Sequence, residues 1–233
     1  MMASRFRRTP LHPQWLLGGE AIVGSWVRDN VRGRVLDVGC ANRWIERWLV
    51  PGCSYVGLDY PSTGRDLYRA RADVFADASE LPLQDASFDA IVLLEVLEHL
   101  RRPREALREA ARVVRPSGKV LLSVPFLYPV HDAPHDYQRL TIHGLIRDIE
   151  EVGLRLDHVA PTLASVETAG LMATLALGGA AAKIIEQRDL RLVFVPLLAL
   201  AIPLVNFTAW IAARLLPPWD AMTAGYRLSA TRP

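Results

Sequence analysis

Residues 35–44 read VLDVGCANRW, and this stretch decides the fold. An apolar run ends in Asp37 and Gly39, and a helical pattern follows. A strand that turns through a glycine into a helix is typical of nucleotide-binding α/β folds, because backbone N–H groups there can approach a ligand. Such a turn usually carries two more glycines, where this chain has Ala41 and Arg43. The dinucleotide pattern G-x-G-x-x-G is therefore absent, which argues against a nicotinamide or flavin cofactor.

Outward from this turn, apolar strand patterns alternate with helical patterns. Strands are predicted over 34–38, 54–59, 72–77, 88–97, 118–125, 154–160 and 225–230, and helices over 16–30, 44–50, 103–114 and 141–153. Strands joined by helices pair in parallel through right-handed crossovers. The sequence therefore predicts a doubly wound α/β sheet.

Composition narrows the function classes. The 233 residues carry a net charge of +2, which is too balanced for a nucleic-acid-binding surface, so no nucleic-acid partner is expected. Cys40 and Cys53 have no metal-ligand spacing. The arginines near the N-terminus are not followed by the apolar segment of a secretory signal, so a cytoplasmic location is predicted.

An apolar region interrupts this pattern after about residue 162. Residues 163–185 are small and apolar, and residues 192–213 contain no charged side chain, which exceeds the roughly 18 residues that nominate a membrane span. Three readings remain: a helical pair packed on the protein itself, a hairpin that crosses a membrane, or a monotopic anchor in one leaflet. The charged segment EQRDLR between the two stretches makes crossing costly, so we favour the anchor. The predicted division is 1–162 and 222–233 as the main domain and 163–221 as an apolar helical insertion.

A ligand-binding acid follows the glycine turn at a suitable interval. Asp59 ends the second strand about twenty residues on, where a carboxylate can accept hydrogen bonds from both hydroxyls of a ribose. On its own this feature would serve any adenosine cofactor.

The blocks at 76–100 (ADASELPLQDASFDAIVLLEVLEHL) and 101–126 (RRPREALREAARVVRPSGKVLLSVPF) are more specific. With them the sequence resembles the class I S-adenosylmethionine-dependent methyltransferases, in particular the methyltransferase type 11 group, from about residue 33 to 160. The terminal segment at 225–233 looks like that family's last, antiparallel strand. The resemblance implies a Rossmann-like sheet of seven strands, mostly parallel, with S-adenosyl-L-methionine as cofactor.

The resemblance also implies roles for single residues. Asp37 and Gly39 match the motif around the methionine part of the cofactor, and Asp59 matches the ribose-binding acid. Asp77 with Ala78 matches the pair beside the adenine. Glu95 matches the strand end that faces the methionine and the substrate, whereas His99 is expected to have a structural role.

The loop at 125–141 (PFLYPVHDAPHDYQRLT) is predicted to face the substrate because it follows the fifth strand. It looks like a pattern, H-x-x-P-x-D-Y-x-R-x-T, of a subset associated with glycan or lipid-linked sugar biosynthesis. His131 or His135 is the candidate general base, oriented by Asp132 or Asp136. The same four side chains are also possible metal ligands, but no metal is predicted.

These observations predict a methyltransferase that is O-directed and acts on an amphipathic, glycan or lipid-linked acceptor at the inner face of the membrane. One alternative is C-methylation of a quinone or other isoprenoid. A second is a non-catalytic scaffold that lost cofactor binding through Ala41 and Arg43.

Overall fold

The computed structural model describes residues 6–188 and 190–233. Its strands are β1 (Arg34–Val38), β2 (Ser54–Asp59), β3 (Val74–Phe75), β4 (Phe88–Leu94), β5 (Val114–Pro125), β6 (Arg155–Pro161) and β7 (Gly225–Thr231). Its helices are α1 (Glu20–Asn30), α2 (Pro61–Asp66), α3 (Pro103–Val113), α4 (Ile142–Glu151), α5 (Ser165–Gln187) and α6 (Val195–Leu215). Short 3-10 turns cover Trp15–Leu17, Glu46–Trp48, Leu97–His99 and Leu190–Phe194.

All seven strands form one sheet in the order β3-β2-β1-β4-β5-β7-β6. β1 pairs in parallel with both β2 and β4, so that Asp37 lies beside Gly57 on one side and Val92 on the other. The last strand runs the other way: Ser117, near the start of β5, donates its N–H to the carbonyl of Arg232, just after β7. The predicted Rossmann-like fold, with seven mostly parallel strands and an antiparallel last strand, is confirmed.

The main apolar core lies on one face of this sheet. It is built from fully buried side chains of β1, β4, β5 and α3, such as Leu36, Ile91, Leu107 and Leu122. A second cluster on Val35 and Val92 includes Val27 of α1 and Ile45. The long apolar strands are thus buried on both faces, as parallel sheets require.

Several local predictions were wrong, and one helix was not predicted. The helix predicted over 16–30 is interrupted at Gly18, whose φ is +71°, and divides into the 3-10 turn Trp15–Leu17 and α1. The pattern at 44–50 forms only the 3-10 turn Glu46–Trp48, because a seven-residue segment that ends before Pro51 is too short for a stable helix. The strand predicted over 72–77 is two residues long, since the Asp73 carboxylate accepts the Gly57 N–H at 2.8 Å. Helix α2 was not predicted, although Pro61 occupies a favoured first-turn position.

A second compact unit contains residues 6–22, 127–129 and 161–225. Its centre is a helical pair, α5 and α6, which approach closely where Gly170 faces Ala209. The buried Asn206 amide donates to the carbonyls of Pro10 and His12 at 2.7 and 3.0 Å, and Thr174 Oγ1 donates to the carbonyl of Pro13 at 2.7 Å. These bonds tie the N-terminal segment to the helical pair, so the structure groups residues 6–22 with the apolar insertion. Asn206, a polar residue within an apolar stretch, is thereby accounted for.

The outer face of α6 is apolar and exposed. Its exposed side chains recur at helical spacing along one stripe, here called the apolar stripe: Leu197, Leu200, Leu204, Phe207, Ile211 and Leu215. Helices Ser165–Gln187 and Leu190–Leu215 are long and apolar enough to cross a membrane by length and composition, and only 22% and 17% of their most apolar windows is buried. A helix packed on a water-soluble protein normally has a polar outer face.

Candidate functional site

The turn after β1 is held against β2. Gly39 adopts a φ of +76°, and its N–H and that of Cys40 both donate to the carbonyl of Leu58, at 2.8 and 3.0 Å. A Cβ on Gly39 would lie 2.5 Å from Cγ2 of Val96. Glycine is therefore required here both by the backbone conformation and by the neighbouring side chain.

Asp59 is positioned by the same turn. Its Oδ2 accepts the Ala41 N–H at 2.9 Å, and its Oδ1 accepts the Tyr60 N–H at 2.8 Å. Desolvation raises the pKa of Asp59, although the two backbone bonds oppose the shift. Gly64 of α2 leaves room beside the carboxylate, since a Cβ there would lie 2.6 Å from Oδ1. Each oxygen retains a lone pair, so Asp59 can accept two further hydrogen bonds.

Arg43, which interrupts the glycine pattern, connects the turn to the second and third strands. Its φ is +62°, and its guanidinium pairs with Glu46 at 2.9 Å and Asp73 at 2.8 Å and lies over the Tyr55 ring. The Arg43 side chain thus stabilises the variant loop by side-chain contacts.

Asp37 lies beneath this turn and is 3% exposed. Its carboxylate accepts a 2.5 Å hydrogen bond from the Tyr55 hydroxyl. Burial raises the pKa of Asp37 to about 7, despite the opposing effect of that bond. Asp37 is therefore a buried group bonded to β2 through Tyr55, the residue over whose ring Arg43 lies.

Asp77 and Ala78 follow β3. Oδ1 of Asp77 accepts hydrogen bonds from the N–H and the hydroxyl of Ser79, at 2.8 and 2.6 Å, while Ala78 is buried. Partial burial tends to raise the pKa of Asp77, but the Ser79 bonds and the Arg102 guanidinium outweigh it and hold the pKa below its usual value. This geometry orders the turn and keeps the carboxylate ionised.

Glu95 follows β4 with a φ of +55° and is exposed to water. The Ser123 hydroxyl donates to its carboxylate at 2.6 Å. Surrounding protein raises the pKa of Glu95, whereas Ser123, His131 and Arg139 oppose the shift. Since β1, β2 and β4 are parallel neighbours, Gly39, Asp59 and Glu95 come to the same edge of the sheet.

The loop after β5 is organised around Asp136, whose side chain is 1% exposed. The guanidinium of Arg139 donates to both carboxylate oxygens at 2.5 and 2.7 Å, and the His131 N–H donates to Oδ2 at 3.0 Å. These interactions, with Arg139 first, lower the pKa of Asp136 to about 2. Nδ1 of the His131 ring lies 3.2 Å from Asp136 Oδ2.

The other candidates in this loop are arranged differently. His135 is half-buried, with Nδ1 3.4 Å from the Tyr137 hydroxyl, and Asp132 accepts a hydrogen bond from Tyr68 instead of from a histidine. Of the predicted base and carboxylate combinations, the structure brings together His131 and Asp136.

The sequence reasoning missed Glu98, which lies in the turn Leu97–His99 and is 3% exposed. The rings of His99 and His131 meet edge to face, with centroids 4.9 Å apart. One ligand atom from each of Glu98, His99 and His131 lies within 4.8 Å of the others. In the sequence Glu98 lies between Glu95 and His99, which the sequence pattern did indicate. The spacing of Glu98 does not distinguish it from an acidic residue at the start of an ordinary helix.

A family model described as a methyltransferase domain matches residues 36–122. The chain is 35% identical over 108 residues to the 27-O-demethylrifamycin SV methyltransferase of Amycolatopsis mediterranei, which covers 41% of this chain and 40% of that protein. It is 30% identical over 127 residues to a ubiquinone biosynthesis O-methyltransferase of Dechloromonas aromatica, which covers 49% and 50%. It is 29% identical over 160 residues to the fatty-acid O-methyltransferase of Mycolicibacterium smegmatis, which covers 56% of each. The chain thus spans about half the length of these relatives.

Two solved structures share the fold. S-adenosylmethionine-dependent methyltransferases from Archaeoglobus fulgidus and Mesorhizobium loti superpose with TM-scores of 0.55 and 0.53, each at 16% sequence identity. Both cover 93% of this chain, and the chain covers 96% and 100% of theirs.

Proposed function

This chain carries a methyltransferase domain with the class I fold of the S-adenosylmethionine-dependent enzymes, and from that premise we propose that it methylates an oxygen of an amphipathic, glycan or lipid-linked acceptor. The observation that carries the proposal is the meeting of Gly39, Asp59 and Glu95 at the carboxyl edge of the sheet. In open α/β sheets, ligands bind at that edge. S-adenosyl-L-methionine, the cofactor of this class, supplies an electrophilic methyl group on a sulfonium.

The residues at this edge fit that cofactor. Asp59 has two oxygens with spare lone pairs and a glycine, Gly64, beside it, which suits a ribose diol. Asp77, kept ionised by Ser79, is a suitable acceptor for the exocyclic amine of adenine, with the Ala78 N–H for a ring nitrogen. We assign Gly39 and Glu95 to the methionine end. Asp37 serves this end indirectly, by supporting the loop from below.

In the dinucleotide pattern G-x-G-x-x-G, the second glycine lets the backbone approach a pyrophosphate and the third lets the helix pack closely on the strand. A cofactor without a pyrophosphate does not need these two glycines. In this chain the Ala41 N–H is already engaged by Asp59, and Arg43 contacts Asp73 and Tyr55. The substituted turn is therefore supported by its own contacts, which favours a working variant over a degenerate scaffold.

Methyl transfer needs mainly that the acceptor is held in line with the methyl group, about 3–3.5 Å away, and shielded from water. A hydroxyl acceptor also benefits from a base. The pairing of His131 with Asp136 provides a base and the carboxylate that orients it, so we assign His131 and Asp136 the catalytic roles and His135 a secondary one. Three relatives whose names specify O-methylation support the oxygen acceptor.

We further propose that the apolar insertion, residues 163–221 of the predicted division, contacts the cytoplasmic face of a membrane. The apolar stripe on α6 supports this, because a row of four leucines, one phenylalanine and one isoleucine facing water is unfavourable unless lipid or another apolar surface covers it. Both ends of the insertion adjoin strands of one sheet, so the chain returns to the side it left, as a monotopic anchor requires.

Calorimetry tests the cofactor assignment. Wild type should bind S-adenosylmethionine and S-adenosylhomocysteine in the micromolar range, and Asp59→Ala should weaken binding by at least tenfold. Asp66→Ala, which removes an exposed acid of α2, is the matched control and should bind like wild type. No binding at millimolar cofactor would support the scaffold reading and overturn the proposal.

Labelled cofactor and a membrane lipid extract test the acceptor. The product should carry its new methyl group on oxygen and should come from the amphipathic fraction. Mass spectrometry that places the label on carbon would replace O-methylation with C-methylation of a quinone or other isoprenoid.

Liposome flotation tests the membrane contact. Wild type should float with anionic vesicles, whereas Leu200→Gln with Leu204→Gln should remain in the soluble fraction. Leu67→Gln removes a comparably exposed leucine outside the insertion and should not change flotation. Equal flotation of all three proteins would contradict the membrane proposal.

A further inference from the structure

Glu98 is a buried carboxyl group without an evident stabilising partner. The residue is 3% exposed, and within residues 6–188 and 190–233 neither carboxylate oxygen has a hydrogen-bond partner on another side chain. Protonation does not solve this, because a neutral carboxyl still presents one donor and one acceptor that need partners. Buried polar groups left unpaired are costly, so this one calls for a ligand.

His99 presents a nitrogen to that carboxylate. Its Nδ1 lies 2.8 Å from the carbonyl oxygen of His135, which can only accept, so Nδ1 carries the proton and Nε2 bears a lone pair. Nε2 lies 3.7 Å from Oε1 of Glu98. That distance is too long for a hydrogen bond. Two bonds of about 2.1 Å to a shared tetrahedral ion would hold the two atoms ~3.4 Å apart.

His131 completes a set of three. Its ring packs edge to face on His99, and its Nδ1 lies beside Asp136. We propose that Glu98, His99 and His131 bind a divalent transition-metal ion next to the carboxyl edge of the sheet, where the cofactor is proposed to bind. The three ligand atoms already lie within 4.8 Å of one another. Side-chain rotations that move each ligand atom by about 1 Å therefore suffice to bring all three within bonding distance of one ion.

The surroundings match what metal sites require. Ligating histidines usually hold their second nitrogen on a backbone carbonyl or a carboxylate, and His99 does so with His135 and His131 with Asp136. Glu95 and Asp136 place negative charge near Glu98, which Arg139 offsets in part. Two imidazoles and one carboxylate favour zinc, iron, manganese or cobalt over magnesium or calcium.

The metal site extends the proposed function without depending on it. Three protein ligands leave positions open for an oxygen of the acceptor, next to Glu95. Where the ion is bound, His131 positions the acceptor through the metal and is not free to take its proton, so the two roles of His131 are alternatives. Metal binding is measured without cofactor or acceptor, so its failure leaves the methyltransferase proposal intact.

The test is calorimetric titration of chelator-treated full-length protein with Co²⁺, Mn²⁺ and Zn²⁺, each alone. Wild type should bind one ion per chain, and bound Co²⁺ should show the visible absorption of a site with nitrogen ligands. Glu98→Gln and His131→Ala should each weaken binding by at least 10–100-fold, the loss typical of an outer-sphere partner alone. His135→Ala is the control from the same loop and should bind like wild type.

Folding is checked separately, because Glu98 is buried. Circular dichroism and cofactor binding should be unchanged in Glu98→Gln. The metal-induced rise in melting temperature should be lost in Glu98→Gln and His131→Ala and kept in wild type and His135→Ala. The proposal is overturned if wild type binds no ion, or if Glu98→Gln, His131→Ala and His135→Ala bind as tightly as wild type, which would indicate adventitious surface binding.

Discussion

The hydroxyl of Tyr55 on β2 donates a 2.5 Å hydrogen bond to the carboxylate of Asp37 on β1, two residues before Gly39. Asp37 is 3% exposed, and its pKa is raised to about 7 chiefly by burial. The Asp37 carboxyl group is therefore neutral over much of the acidic range.

Asp37 should make stability depend on pH. Between about pH 4 and pH 7 the unfolded chain has released this proton and the folded chain retains it, so raising the pH through that window destabilises the fold. Asp37→Asn keeps an acceptor for Tyr55 but cannot ionise. The unfolding free energy of the variant relative to wild type should rise over this window by a few kcal/mol, and level off above pH 7. Urea denaturation at several pH values measures it, with the exposed Asp66→Asn as control; parallel curves for Asp37→Asn and wild type would refute the prediction.

Gly39→Ala should destabilise the turn for two separable reasons. The φ of +76° disfavours an L-residue by about 1–2 kcal/mol, and the new Cβ would press on Val96 at 2.5 Å, which adds about 1–3 kcal/mol. Adding Val96→Ala to Gly39→Ala should relieve the second cost and leave the first. Chemical denaturation of the single and double variants checks this. If the loss of unfolding free energy in the double variant equals the sum of the losses in the two single variants, the contact with Val96 is not the cause of the second cost.

Arg43 offers a comparison of glycine with alanine at one backbone position. Both substitutions remove the contacts with Glu46, Asp73 and Tyr55, but only alanine must hold the φ of +62°. Arg43→Gly should therefore be more stable than Arg43→Ala by about 1 kcal/mol, with cofactor affinity within a few-fold of wild type for both. Melting curves and calorimetry give both quantities, and a large loss of affinity in Arg43→Gly would show that the arginine itself contacts the cofactor.

The two loop histidines should differ in their effect on turnover. His131 is paired with Asp136 and His135 is not, so His131→Ala should lower kcat by about 10²–10⁴-fold and His135→Ala far less. Cofactor affinity should survive in both. Steady-state kinetics with the identified acceptor measures kcat for both variants. An equal loss of kcat in His131→Ala and His135→Ala would mean that the pairing with Asp136 does not select the catalytic group.

The mostly parallel α/β sheet, and the edge of it at which Gly39 and Asp59 lie, were predictable, because apolar runs and turn residues report directly on backbone position. The pairings inside the loop at 125–141 were not. Its composition pointed to His131, His135, Asp132 and Asp136 together, and only the folded loop shows that Tyr68 engages Asp132 and that Arg139 locks Asp136 beside His131. Glu98 was missed for the same reason, since its significance lies in the lack of a partner in three dimensions.

The position of β7 has a consequence for biosynthesis. β6 belongs to the sheet only through β7, which lies between it and β5. Some sixty residues of the insertion must leave the ribosome before β7 is synthesised. The nascent chain therefore exposes its most hydrophobic segment while the edge of β5 still lacks its partner strand. A chain made next to a lipid surface would shelter this segment early, whereas one made away from lipid would expose it to water until β7 emerges.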